Sequence, residues 1–137
     1  MKKGSKKTRA RGSSFPLAKL IGIRALRASR GGAVATMTAA RKHLNPMGTV
    51  HGGILCDLAD AAMGYAFISQ IPEKQMGLAT SFHINFMRAA RVGDRLRATA
   101  KTTSHGKSIY FMECVIKNAT GKIVATASSC CKILQET

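Results

Sequence analysis

This 137-residue chain holds one apolar stretch long enough to make a substantial helix, and the stretch is broken on both sides. Asn45-Pro46 and the loop His51-Gly52-Gly53 precede it, and Ile71-Pro72 closes it. Pro and paired Gly punctuate chains strongly, so the helix is expected from about Gly52 to about Ser69. It is apolar nearly all round, which places it in a core. Yet it carries Asp57 and Asp60, and carboxylates are rarely buried without a partner or a task.

The rest of the chain must fold around that helix. Residues 15–23 read as a short apolar segment started by Pro16. Residues 24–40 read as a hairpin turning at Arg30-Gly31-Gly32. After Gly77 come four strand-like runs, 78–87, 95–103, 108–117 and 122–134, each separated by Gly beside polar residues. Leu96, Ala98 and Ala100 alternate with Arg97, Thr99 and Lys101, so one face of that strand is wet. One helix cannot cover two sheet faces. The expected class is therefore α+β: a single curved antiparallel sheet of about six strands wrapped around one long central helix, with sequential strands as neighbours.

The formal net charge is +16, and twelve Lys or Arg precede the first acid, Asp57. Such a balance favours anionic partners. Residues 1–14 hold six of these bases and read as a disordered basic tail; residues 15–137 form the expected domain. The tail would bind nucleic acid only non-specifically and salt-sensitively. No apolar run is long enough for a membrane span, and the tail lacks the apolar stretch of a secretory signal, which points to the cytoplasm. Cys56, Cys114, Cys130 and Cys131 form no CxxC pair and are expected to be reduced thiols. The four His are far apart, so no metal site and no cofactor is expected.

The chemistry concentrates in the central stretch. Asp57 and Asp60 are about 60° apart around a helix. Asp57 lies nearer the N-terminus, where the dipole favours a carboxylate, so Asp60 is the reactive candidate. Gly52 sits in the first turn, where backbone N–H groups lack intrahelical acceptors. With no side chain there, a carbonyl can approach closely, as in an oxyanion hole. Eight residues of helix separate Gly52 from Asp60, roughly 12 Å. That is too far for one carbonyl, so the spacing argues for a two-fold dimer with sites at the interface.

Asn45…His51-Gly52-Gly53…Leu58-Ala59-Asp60, with residues 80–88 downstream, resembles the hot-dog-fold acyl-CoA thioesterases of the phenylacetic-acid-degradation (PaaI-like) group. The resemblance spans roughly residues 15 to 135. It implies hydrolysis of an aromatic or medium- to long-chain acyl-CoA to free acid and CoA. On that pattern the Gly52 amide polarises the thioester carbonyl and Asn45 orients it. Asp60 of the other subunit serves as general base or nucleophile. His51 and Gly53 support the loop around the thioester. The family's auxiliary Ser or Thr is missing, because its positions correspond to Gly64 and Ala79; Thr80 could replace it if the strand register shifts by one. Gly106, Lys107 and Ser108 resemble a turn used against the nucleotide of CoA, and Arg88 and Arg91 are further phosphate candidates. The resemblance also implies a homodimer that can pair into a homotetramer. An alternative is a non-catalytic acyl-CoA-binding or nucleic-acid-associated regulator on the same fold. Cys56 near His51 is a weak nucleophile candidate. Met47, Met63, Met76, Met87, Met112 and Phe67, Phe82, Phe86, Phe111 are expected to fill the core or line an acyl pocket.

Overall fold

The computed structural model describes residues 15–134, so the expected tail over 1–14 lies outside the described residues. The elements follow in the order α1 (Pro16–Ile21), β1 (Arg24–Ser29), β2 (Gly32–Thr38), a 3-10 turn (Arg41–His43), α2 (Gly52–Ile68), β3 (Met76–Phe86), β4 (Arg95–His105), β5 (Ile109–Lys117) and β6 (Ile123–Leu134). The β1–β2 hairpin turns through Arg30 and Gly31, with φ of 51° and 81°. Consecutive positive φ values match the twist of the strands they join.

All six strands lie in one antiparallel sheet with α2 packed against one face, the hot-dog architecture expected. Small side chains let the helix sit close. Ala59, Ala61, Ala62 and Ala66 of α2 are buried in one core with Ala33 and Ala35 of β2, Ala98 and Ala100 of β4, and Ala125 and Ala127 of β6. Leu58 is fully enclosed among them; truncating such a residue to Ala costs about 2–5 kcal/mol. No described helix is long and apolar enough to cross a membrane.

The strand order is β1-β2-β4-β5-β6-β3, which corrects the expectation of sequential neighbours. β2 pairs with β4 from Gly32↔Lys101 to Thr38↔Arg95. The physical reason is the path of α2, which carries the chain across the sheet before β3 begins. β3 then returns along the far edge, beside β6 only. Two contacts fix its direction against α2. Gly77 leaves no room for a side chain beneath the Phe67 ring, and the Phe86 ring lies over Gly52. β3 is exposed along almost its whole length, with Met76, Leu78, Phe82 and Phe86 open to solvent.

Candidate active site at the start of the central helix

His51 is the N-cap of α2, and its Nδ1 accepts the Gly53 amide at 2.8 Å. An added Cβ at Gly53 would lie 2.9 Å from that same nitrogen, so the cap needs glycine there. The Ile54 amide is satisfied by the His51 carbonyl at 2.9 Å. The Gly52 amide has no acceptor among the described residues. It is a fixed donor at the positive end of a helix, the chemistry that stabilises an oxyanion.

The loop before it is tied down by its own polar atoms. Asn45 Oδ1 accepts from the Met47 and Thr49 amides at 3.0 and 3.1 Å, and its Nδ2 donates to Thr49 Oγ1 at 2.8 Å. One amide hydrogen of Asn45 is left over for a ligand. His43, to which the sequence assigns no role, anchors the other side. Its ring is buried, Nδ1 accepts from the Ala40 amide, Nε2 meets the Ile21 carbonyl at 2.7 Å, and its carbonyl accepts from the His51 amide. Both ring contacts are met by a neutral imidazole protonated at Nε2.

Asp60 and Asp57 do not lie in the core of the single chain, contrary to the reading of an all-round buried helix. Asp57 is half-buried and Asp60 exposed. With Gly53 and Gly64 they form an open stripe along α2, at the spacing of one helix face. Partial enclosure by the surrounding protein nevertheless raises the Asp60 carboxyl above the ordinary aspartate range, and the charge of Asp57 raises it further. Enclosure alone raises Asp57. Asp60 also lies within electrostatic reach of the buried Cys131 thiol, which is raised first by burial.

The register of β3 shifts between Ala79 and Ser81, leaving Thr80 in a bulge. With Phe86 over Gly52 and Gly77 under Phe67, the middle of β3 lies alongside the middle of α2, at the level of Asp60. The Thr80 hydroxyl donates to the Cys130 carbonyl at 3.1 Å. A Cβ at Gly64 would meet nothing within 4 Å.

The structure thus gathers Asn45, His51, Gly52 and Gly53 at one end of α2. Arg88 follows β3 at that end, its amide on the Val124 carbonyl. Gly106, Lys107 and Ser108 form the β4–β5 turn at the opposite end, where Gln70 bonds Thr102 and the Thr102 amide bonds Gly31. The 17 residues of α2 separate the two ends by about 25 Å. Of the residues expected in the core, Phe67, Met63 and Met112 are buried, whereas Met47, Met76, Met87, Phe82, Phe86 and Phe111 are exposed. Phe86, expected only as core or pocket lining, lies over Gly52, and its alternation with Phe82 and Ile84 marks them as one strand face. Burial, then Asp57, pushes the Cys56 thiol up, which disfavours its thiolate, and His51 Nδ1 is taken by the Gly53 amide.

A family model described as the thioesterase superfamily matches residues 47–125. The acyl-coenzyme A thioesterase PaaI of Escherichia coli is 38% identical over 79% of this chain and 75% of its own length. Human acyl-coenzyme A thioesterase 13 is 29% identical over 72% of this chain and 70% of its own. The solved structure of the E. coli PaaI protein superposes with a TM-score of 0.84 at 34% identity, covering 90% of this chain and 88% of that one.

Proposed function

The chain belongs to the thioesterase superfamily, and on that premise we propose that it hydrolyses acyl-CoA thioesters at sites shared between two copies of itself. The observation that carries the reading is the Gly52 amide, left without an acceptor while its neighbours Gly53 and Ile54 are satisfied. The thioester carbonyl oxygen accepts this N–H, and the remaining amide hydrogen of Asn45 steadies it. Asp60 of the second copy removes a proton from water as the water oxygen bonds the carbonyl carbon. The tetrahedral oxyanion stays on Gly52. It collapses with cleavage of the C–S bond, releasing the acid and the CoA thiolate, which takes up a proton. The alternative, Asp60 attacking to form an anhydride, is tested by a single turnover in 18O-water: direct attack always labels the acid released, whereas an unlabelled acid with 18O in the Asp60 carboxylate shows an anhydride opened at the Asp60 carbonyl.

Three features support pairing. Asp60 stands on an open stripe of α2, roughly 12 Å from Gly52 of its own chain. β3 offers an unpaired, largely apolar edge, the kind of strand that pairs with another chain. The candidate CoA-phosphate turn at Gly106, Lys107 and Ser108 lies at the wrong end of its own helix, where an antiparallel partner would bring it to Gly52. Thr80, re-aimed by its bulge, stands in for the auxiliary hydroxyl. Pairing of dimers into tetramers and a cytoplasmic setting for the four free cysteines belong to the same reading.

A panel of acyl-CoAs followed with a thiol reagent tests the activity, and sedimentation tests the dimer. Equal CoA release by the wild type and Asp60→Ala would overturn the catalytic assignment. A monomer at full activity would overturn the shared site.

A further inference from the structure

The charge of +16 has no use in thioester hydrolysis beyond a few phosphate contacts. Strand register shows where much of it stands. One cross-strand row runs Arg24↔Thr36↔Arg97↔Lys117 over β1, β2, β4 and β5. Arg95 lies beside it, opposite Thr38. Arg27 lies opposite Val34, which pairs with Thr99. All five cations are exposed, and they alternate with the buried Leu96, Ala98, Ala28 and Ile116. They therefore project from the face of the sheet opposite α2.

Arg97 and Lys117 are direct cross-strand neighbours. Like charges in that relation oppose pairing. Cations on an edge strand such as β1 guard against unwanted strand addition, but β4 and β5 are interior strands and need no guard. No acid stands opposite any of them in the strand register. The outward acid of this face, Glu113, pairs with Lys101 nearer the other end of the strands. The Asp94 carboxylate is held by the Arg91 amide at 2.8 Å. Residues 1–14 contribute no acidic residue.

We propose that this face is a docking surface for nucleic acid, held through its phosphates by Arg95, Arg97 and Lys117, with Arg24 and Arg27 extending the track. From Arg24 to Lys117 is three strand spacings, about 14 Å, and duplex DNA carries one charge per about 1.7 Å of axis. Thr36, Thr38 and Thr99 stand between the cations. Hydroxyls donate to phosphate oxygens. Because α2 and Gly52 lie on the other side of the sheet, docking leaves the acyl site open.

The test titrates the full-length chain into a fluorescein-labelled duplex of about 20 bp, by anisotropy, between about 50 and 200 mM salt. The triple variant Arg95→Gln, Arg97→Gln, Lys117→Gln is expected to flatten the slope of log K against log salt by about 2.7, three contacts at about 0.9 each. A charge-matched control, Lys19→Gln, Arg41→Gln, Lys74→Gln, is expected to change it far less. A third full-length variant, with the six bases of residues 1–14 replaced by Gln, is expected to keep the part that depends on Arg97. The proposal is overturned if the control flattens the slope as much as the triple variant does, or if the tail variant binds nothing. It is overturned equally if the chain binds phosphatidylserine vesicles but no duplex.

Discussion

Gly52→Ala tests the site where its geometry is tightest. A Cβ built there would lie 3.0 Å from Phe86 Cζ and 3.2 Å from Cε1, closer than carbon atoms normally pack. The obstacle is the far end of a side chain that is 55% exposed, so the ring can yield. Helix propensity works the other way, Ala being favoured over Gly by up to about 1 kcal/mol within a helix. The expected stability change is therefore within about 1 kcal/mol, and the protein folds. Activity is another matter. Removing a whole oxyanion donor costs about 100- to 1,000-fold in kcat. Ala keeps the N–H but shifts it and crowds the approach of the carbonyl, so a loss of about 10- to 100-fold in kcat is expected, with KM changed less. Phe86→Ala removes the obstacle, so the double variant should recover about tenfold over Gly52→Ala, a coupling near 1.4 kcal/mol. All four proteins can be compared by CoA release with a thiol reagent. Wild-type kcat in Gly52→Ala would show that the carbonyl does not sit on this amide. An equal loss with and without Phe86 would refute the steric route.

The other predictions concern charge and packing around the same helix. Asp60→Asn should lower kcat by about 100- to 10,000-fold, the usual range for a lost general base, while Asp57→Asn should stay within several-fold; steady-state kinetics of the pair decides between them. Because enclosure and Asp57 raise the Asp60 carboxyl, the acid limb of kcat/KM should inflect above the ordinary aspartate value of about 3.9. The same shift sets the stability sign. The folded state holds the Asp60 proton more tightly, so this contribution to stability is fully present below the unfolded pKa and is lost as pH rises through the folded one. Melting temperatures of wild type and Asp60→Asn should therefore diverge with rising pH through that window. His51→Ala strands the Gly53 amide and should cost about 1 kcal/mol by urea titration. Gly77→Ala drives a methyl into the Phe67 ring and to 2.7 Å from the Lys132 carbonyl; a loss of about 1–3 kcal/mol is expected by the same titration.

The sequence revealed those parts of the fold that depend on local chemistry. α2 begins at Gly52 and ends at Ile68 because an Asn-Pro turn and the His51 cap precede it and Pro72 follows. The hairpin turn fell at Arg30-Gly31 because two consecutive positive φ values need Gly in one of the places. The alternation along β4 gave its buried face residue by residue. The position of β3 was not legible, because strand order is set by where a packed helix delivers the chain. The bulge at Thr80 was hidden for a similar reason: nothing local distinguishes Ala79 from Thr80 as the inward residue until β6 fixes the register. The open stripe of α2 did leave a signal. Gly53, Asp57, Asp60 and Gly64 recur at the three-and-four spacing of one helix face, but the apolar mean of the helix masked it.

On the proposed mechanism, that stripe also explains why the acid that would serve Gly52 sits so far along the helix. The first turn of α2 contains no acidic residue. A carboxylate there would be favoured by the dipole and could cap the free amides itself. It would also occupy the Gly52 N–H and repel the oxyanion that this donor is placed to hold. His51 fills the cap with a neutral acceptor and takes only Gly53. Moving the carboxylate eight residues down the helix keeps the donor vacant, and it leaves Asp60 on a face that its own chain does not cover. On the proposed mechanism, donor and base meet when a second, antiparallel α2 lies alongside. On this reading dimerisation assembles the site itself, and a variant that splits the dimer should lose activity with every catalytic residue intact.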